Sequence, residues 1–172
     1  MALNNFEFQV QWSQFAPLSG RPSGQNENAQ IHPETDIRNL RMGRNGRSYI
    51  IASVDIGIRL IRADCWVVDS SRTPELLKHE QGHYDIMAIG TRGFYNRLLT
   101  LSEGSARDLQ NFMNDVRENF RTNARDVDRR YDSATNHGIN TAVQLTWDRQ
   151  IAIVKANPQG TLNDLPQATS TP

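Results

Sequence analysis

Cysteine is almost absent from this chain: Cys65 is the single thiol in 172 residues. That excludes an intramolecular disulfide and any multi-cysteine zinc site, so a zinc centre here has to be built from histidine and carboxylate. Long apolar runs are also missing. The most hydrophobic stretch is broken by Asp55, Arg59, Arg62 and Asp64, well short of the roughly 18 uninterrupted residues of a membrane-spanning helix. No membrane insertion is expected. Excess charge of either sign is lacking, because 19 basic and 19 acidic residues cancel. No global field draws the chain to nucleic acid, and none is expected as a partner. The N-terminus Met-Ala-Leu-Asn-Asn-Phe-Glu-Phe has neither the basic nor the apolar region of a secretory signal, which by default implies a cytoplasmic protein.

What is present is enough apolar material, 37% of residues, for one folded domain over 1–156, with a polar, poorly ordered tail over 157–172. Phe6, Phe8, Val10 and Trp12 alternate with polar residues and predict a first strand. Residues 16–35 are rich in Pro, Gly, Asn and Gln and read as an exposed, mobile loop. Asn45-Gly46 signals a hairpin turn within an Arg-rich segment (Arg38, Arg41, Arg44, Arg47) that reads as a solvated turn. Alternation resumes from Tyr49 to Trp66, with a bend or split expected at Gly57 and an edge, around 49–60, to which a peptide could add as a strand. Thr73-Pro74-Glu75 predicts a helix start, and Gly90 and Gly93 predict a kink or break after Ile89. A second helix follows Ser102 to Ser105, with an apolar face from Leu109 to Tyr131, and a third spans Thr141 to Val154. Strand signals precede helix signals rather than alternating with them, which predicts an α+β fold: a small, twisted, mostly antiparallel sheet packed on two helices.

The chemistry sits in His79-Glu80-Gln81-Gly82-His83, an H-E-x-x-H pattern. Four helical residues turn about 400°, so the two imidazoles emerge about 40° apart on successive turns and can share one zinc ion. Glu80 lies about 100° round the helix, placed to act as general base rather than ligand. Gly82 costs about 1 kcal/mol relative to Ala, which implies a close neighbour or clearance for a ligand.

Catalytic zinc takes three protein ligands and leaves one position open. His137, beside Gly138 at the end of the second helix, is the first candidate for the third ligand, with Glu118 as the alternative. His32 reads as a plain surface histidine. Tyr131 is the nearest phenol to serve as an oxyanion donor, with Tyr84 second. Asp85 or Asp132 could orient a ligand imidazole through its second nitrogen. Cys65, beside Trp66, reads as a buried thiol.

Taken together, Trp12, Phe15, Cys65-Trp66-Val67, the helix from Leu77 to Ile86, the stretch Tyr131-Asp132 to Thr135-Asn136-His137-Gly138, and Gln144 and Trp147 resemble the bacterial zinc-dependent proteases. That family is known mainly from genomes and is often described as secreted. The resemblance implies a compact zincin-like fold, zinc on His79 and His83 with His137 as third ligand, Glu80 as catalytic base, and a secreted or periplasmic setting. The expected function is a zinc metallopeptidase, an endopeptidase acting on a peptide or protein substrate with one zinc per chain. The rivals are a zinc amidase or deacylase on cell-wall or other acyl substrates, and an interaction domain with a structural zinc.

Overall fold

The Asn45-Gly46 signal marks a real hairpin, shifted by one residue. Asn45 pairs with Ser48, so Gly46 and Arg47 form the loop, and Gly46 takes the positive φ (61°) that the first position of a type II′ turn requires. The turn joins β4 (Pro33–Asn45) to β5 (Ser48–Leu60) in a computed structural model that describes residues 2–167.

Strand β5 lies inside its sheet, flanked by antiparallel β4, by parallel β1 (Ala2–Asn4) and by antiparallel β7 (Ser102–Glu103). The expectation of a free edge at 49–60 is therefore overturned, since β4 pairs one side and β1 and β7 take residues 55–57 and 49–50 of the other. Nor does the long alternating run split at Gly57. It ends at Leu60 and turns through Arg62–Asp64 into β6 (Trp66–Val68). The breaker-rich segment 16–35 is not a plain exposed loop: β2 (Ala16–Leu18) runs parallel and β3 (Ala29–Gln30) antiparallel to β6, forming a second, three-stranded sheet. Ala29 and Ile31 from that segment are buried. Both sheets are mixed and the architecture is α+β.

Helix α1 (Pro74–Leu98) begins where Thr73 accepts the Leu76 N–H at 3.1 Å and runs unbroken through Gly90 and Gly93. The expected interruption is absent because these glycines serve packing: a Cβ on Gly93 would stand 2.5 Å from the Phe120 ring and one on Gly90 3.3 Å from Ala124. They let α2 (Ala106–Thr135) cross closely. Helix α3 (Thr141–Ala156) is capped by Asn140. The first helix sits between layers. Ile86 and Ile89 pack with Val127, Tyr131, Trp147 and Ile151 of the other helices, while Tyr84 and Ala88 pack with Ile58 and Val67 of the sheets.

Residues 6–12 do not form a strand, although Phe6, Phe8, Val10 and Trp12 do pack into the core. Their backbone partner is a side chain. Gln81 accepts from Val10 N–H at 2.8 Å and donates to Phe8 C=O at 3.1 Å, replacing a neighbouring strand. The tail from 157 is also better anchored than expected: Leu162 and Leu165 are buried, and buried Arg92 donates to the carbonyls of Val154, Lys155 and Gly160. Only 168–172 of the expected tail lies outside the described residues. No described helix is long and apolar enough to cross a membrane.

Candidate metal centre

His79 and His83, one turn apart on α1, bring their Nε2 atoms to 3.1 Å from each other. The Oδ1 of Asp132, from the last turn of α2, lies 3.1 Å from both. These three side chains form a cluster able to hold a metal ion. Each imidazole is fixed through its other nitrogen. His83 Nδ1 donates to Asp128 Oδ1 at 2.6 Å. His79 Nδ1 faces Gln144 Oε1 at 3.0 Å, and the Gln144 amide nitrogen is committed to Tyr131 Oη (2.5 Å) and Asp148 (2.7 Å). The Gln144 oxygen can only accept, so His79 Nδ1 carries the proton and its Nε2 presents a lone pair.

Two nitrogens and one oxygen converge on one point, where a metal ion would take the place of the protons shared among them. Zinc at about 2.0–2.1 Å from ligands in a tetrahedron would separate ligand atoms by about 3.3 Å, so the observed separations fit such an ion. The donor set of two histidines and one carboxylate, with Gln144 and Asp128 on the far nitrogens of the imidazoles, fits zinc chemistry.

The surrounding cleft has a volume of about 220 Å3 and is bounded by 27–31, the start of α1 and the end of α2. Three buried polar atoms of residues lining it have no hydrogen-bond partner among the described residues: Glu80 Oε2, Glu27 Oε2 and His137 Nδ1. Unpaired buried polar atoms are rare in folded proteins, and here they gather in one place. Glu80 is only 2% exposed. Burial pushes its carboxyl up to about 7, against the opposing pull of His83. Burial disfavours the charged form of His83 too, yet the Asp128 carboxylate and Asp132 outweigh it and raise this imidazole well above its ordinary value. Asp132 shows the converse. Burial opposes its ionisation, but the His79 and His83 imidazoles, each 3.1 Å from it, hold the carboxyl well below the usual range.

His137 reaches the cluster's margin, with Nδ1 3.4 Å from Asp132 Oδ1 and 3.8 Å from Glu27 Oε1. The three-residue cluster itself has Asp132 where His137 was expected. The turn carrying His137 is unusual: Asn136, His137 and Gly138 all have positive φ (50°, 52° and 81°). This folds the chain back over His79, where a Cβ on Gly138 would stand 3.1 Å from the imidazole. Glu118, the alternative third ligand, is elsewhere; it is exposed on α2 and bridges Arg121 at 2.7 Å.

Tyr131 is at the site but its hydroxyl is not aimed at the cluster. It donates to the His79 carbonyl at 3.1 Å and accepts from Gln144, while its ring stacks on the His79 imidazole at 4.8 Å. An oxyanion donor needs a free O–H, and the Tyr131 hydroxyl is already committed to His79 C=O. Gly82 is explained by it, since a Cβ there would lie 2.2 Å from the Tyr131 oxygen. Tyr84 likewise spends its O–H on Asn5 C=O at 2.7 Å. Asp85 pairs with Lys155 at 2.9 Å and with Gln81, so it orients no imidazole. Asp132 faces the imidazoles through the cluster nitrogens rather than the second ones. Cys65 is buried and bonded to Ile61 C=O and His32 N–H, and His32 pairs with Asp64 at the surface.

The residues missed by sequence reasoning are Asp128 and the orienting role of Gln144. Asp128 and Asp132 stand four apart on α2, the same spacing as the histidine pair, which is a legible sign that both point to one face.

A family model described as a bacterial protein of unknown function (DUF922) matches residues 70–138. That span holds His79, Glu80, His83, Asp128, Asp132 and His137 but stops short of Gln144. No curated protein and no solved structure matches the chain.

Proposed function

We propose that the chain is a zinc-dependent hydrolase of peptide bonds, a metallopeptidase of endopeptidase type. The observation that carries this reading is the convergence of His79 Nε2, His83 Nε2 and Asp132 Oδ1 beside a buried, unpartnered Glu80 oxygen in one cleft. His79, His83 and Asp132 would hold the metal, with His137 at its margin. Zinc there supplies Lewis-acid polarisation of a carbonyl and lowers the pKa of water. Glu80 takes the proton of the attacking water and returns it to the leaving amine. Gln144 and Asp128 keep the imidazoles in the ligand tautomer, and Tyr131 holds His79 from behind. The two-residue strand β3, which among the described residues pairs only with β6, contributes Ala29 and Gln30 to the cleft lining and offers a place for an extended peptide to add as a strand. It takes over the role first expected at 49–60.

The test is elemental analysis and peptide cleavage on protein purified without a histidine tag. One zinc per chain is expected in wild type and in Glu80→Gln, with activity lost in Glu80→Gln, and zinc lost in His79→Ala and His83→Ala. Absence of zinc after supplementation would overturn the reading. Zinc retained at full occupancy with no cleavage of any peptide would favour acyl substrates or a structural metal.

A further inference from the structure

A second cavity, of about 360 Å3, opens beside the metal centre and shares His83 and Asp128 with its cleft. Its lining includes Met87 and Phe94 from α1 and Phe120 from α2, with Arg117, Arg121 and Arg125. The arginines recur every four residues, so they form one row along α2. The carboxylates around the cavity are already engaged. Glu118 bridges Arg121 at 2.7 Å, Glu34 bridges Arg59 at 2.8 Å, and Asp128 holds His83 at 2.6 Å. Arg117 and Arg125 have no carboxylate in ion-pair distance among the described residues. The cavity therefore joins apolar side chains, with Glu34 and Asp128 at its edge, to a wall on which Arg117 and Arg125 are in no ion pair among the described residues.

Its volume lies at the lower end of the roughly 300–1,000 Å3 of ligand pockets, enough for one aromatic or branched side chain and its neighbours. Guanidinium groups pair well with carboxylates through paired N–H donors. A basic peptide would instead meet like charge on approach. We propose that this cavity is a substrate pocket for acidic peptides, seating one large apolar side chain while flanking carboxylates meet Arg117 and Arg125. This inference rests on the hydrolase reading, because the shared His83 and Asp128 place the seated residue next to the metal centre.

The experiment measures binding apart from cleavage. Labelled octapeptides with a central Phe flanked by Glu, the same peptide flanked by Lys, and a Glu-flanked peptide with Ala for Phe are titrated by fluorescence anisotropy against zinc-supplemented Glu80→Gln. The Phe peptide with Glu flanks should bind at least tenfold tighter than either other peptide, and less tightly as salt rises. Adding Arg117→Glu and Arg125→Glu, both exposed positions, should remove most of that advantage. Equal affinity regardless of flanking charge, no binding by any peptide, or an unchanged acidic-peptide affinity in the arginine double variant would each overturn the pocket. Wild-type cleavage of the same peptides is read in parallel. The expected binding pattern without zinc or cleavage would sink the hydrolase reading and leave an acidic-peptide site; cleavage without the pattern would do the reverse.

Discussion

Gln144 Oε1 lies 3.0 Å from His79 Nδ1, and this amide on α3 holds the His79 proton on Nδ1, away from the candidate metal centre. With its own nitrogen bound to Tyr131 and Asp148, the amide cannot rotate to offer a donor instead. Helix α3 contributes no cluster ligand, yet it sets the protonation of one.

Replacing Gln144 with Leu, or Asp128 with Asn, is therefore expected to weaken zinc binding by roughly 10–100-fold without removing it, as outer-shell substitutions at metal histidines do. Competition against a chromophoric chelator measures this directly. Affinity unchanged in both variants would mean that the imidazoles are held by packing alone.

Zinc should also stabilise the fold. At a free concentration about 1,000 times its Kd, zinc bound only by the native state adds about 4 kcal/mol. Thermal melts should show a clear upward shift with zinc in wild type and Glu80→Gln, and none in His83→Ala.

Gly82→Ala puts a methyl group 2.2 Å from the Tyr131 oxygen, where both the tyrosine and the facing backbone are buried. The overpacking should cost about 1–3 kcal/mol. It should also lower zinc affinity, because Tyr131 stacks on His79. Urea midpoints and chelator competition read the two effects separately, and a neutral result in both would contradict the packing described.

Arg92 ties three carbonyls at the end of α3 and the segment after it. Arg92→Leu leaves these acceptors without their charged donor and should destabilise by roughly 3 kcal/mol. Zinc affinity of the folded fraction should stay near that of wild type, since Arg92 touches none of the cluster residues.

Asp164 accepts from the Thr161 backbone N–H and hydroxyl, and these bonds lower its pKa below the usual 3.8. A carboxyl depressed in the folded state stabilises above its unfolded pKa, and that stability is lost as pH falls through the folded value. Asp164→Ala should thus melt below wild type at pH 7, and the gap should narrow as pH falls below the ordinary carboxyl range. A gap that does not narrow on acidification would assign the effect to something other than this ionisation.

Much of the helical scaffold was legible because its signals are local. Thr73 caps the first helix at the expected residue, Tyr131 falls on the buried face of the second, and Thr141 opens the third. Strands were harder to read. The alternation at Phe6–Trp12 marked the alternating burial correctly but implied a ladder, whereas the partner was the side chain of Gln81, some seventy residues away. Gly90 and Gly93 carried the same composition as a helix break, and only the crossing of α2 shows that they make room.

The convergence of His79 and His83 follows from helix geometry, since a four-residue interval places two side chains on one face whatever surrounds them. So does the position of Glu80 beside them. The placing of Asp132 against both Nε2 atoms, the engagement of Asp128 and Gln144, the retirement of the Tyr131 hydroxyl and the interior position of β5 do not follow from any local pattern. Each depends on contacts between elements far apart in the chain, such as His83 with Asp128 and His79 with Gln144, 45 and 65 residues away. Spacing along one helix supplied the pair of nitrogens, and packing between helices supplied the carboxylate, the tautomers and the cleft.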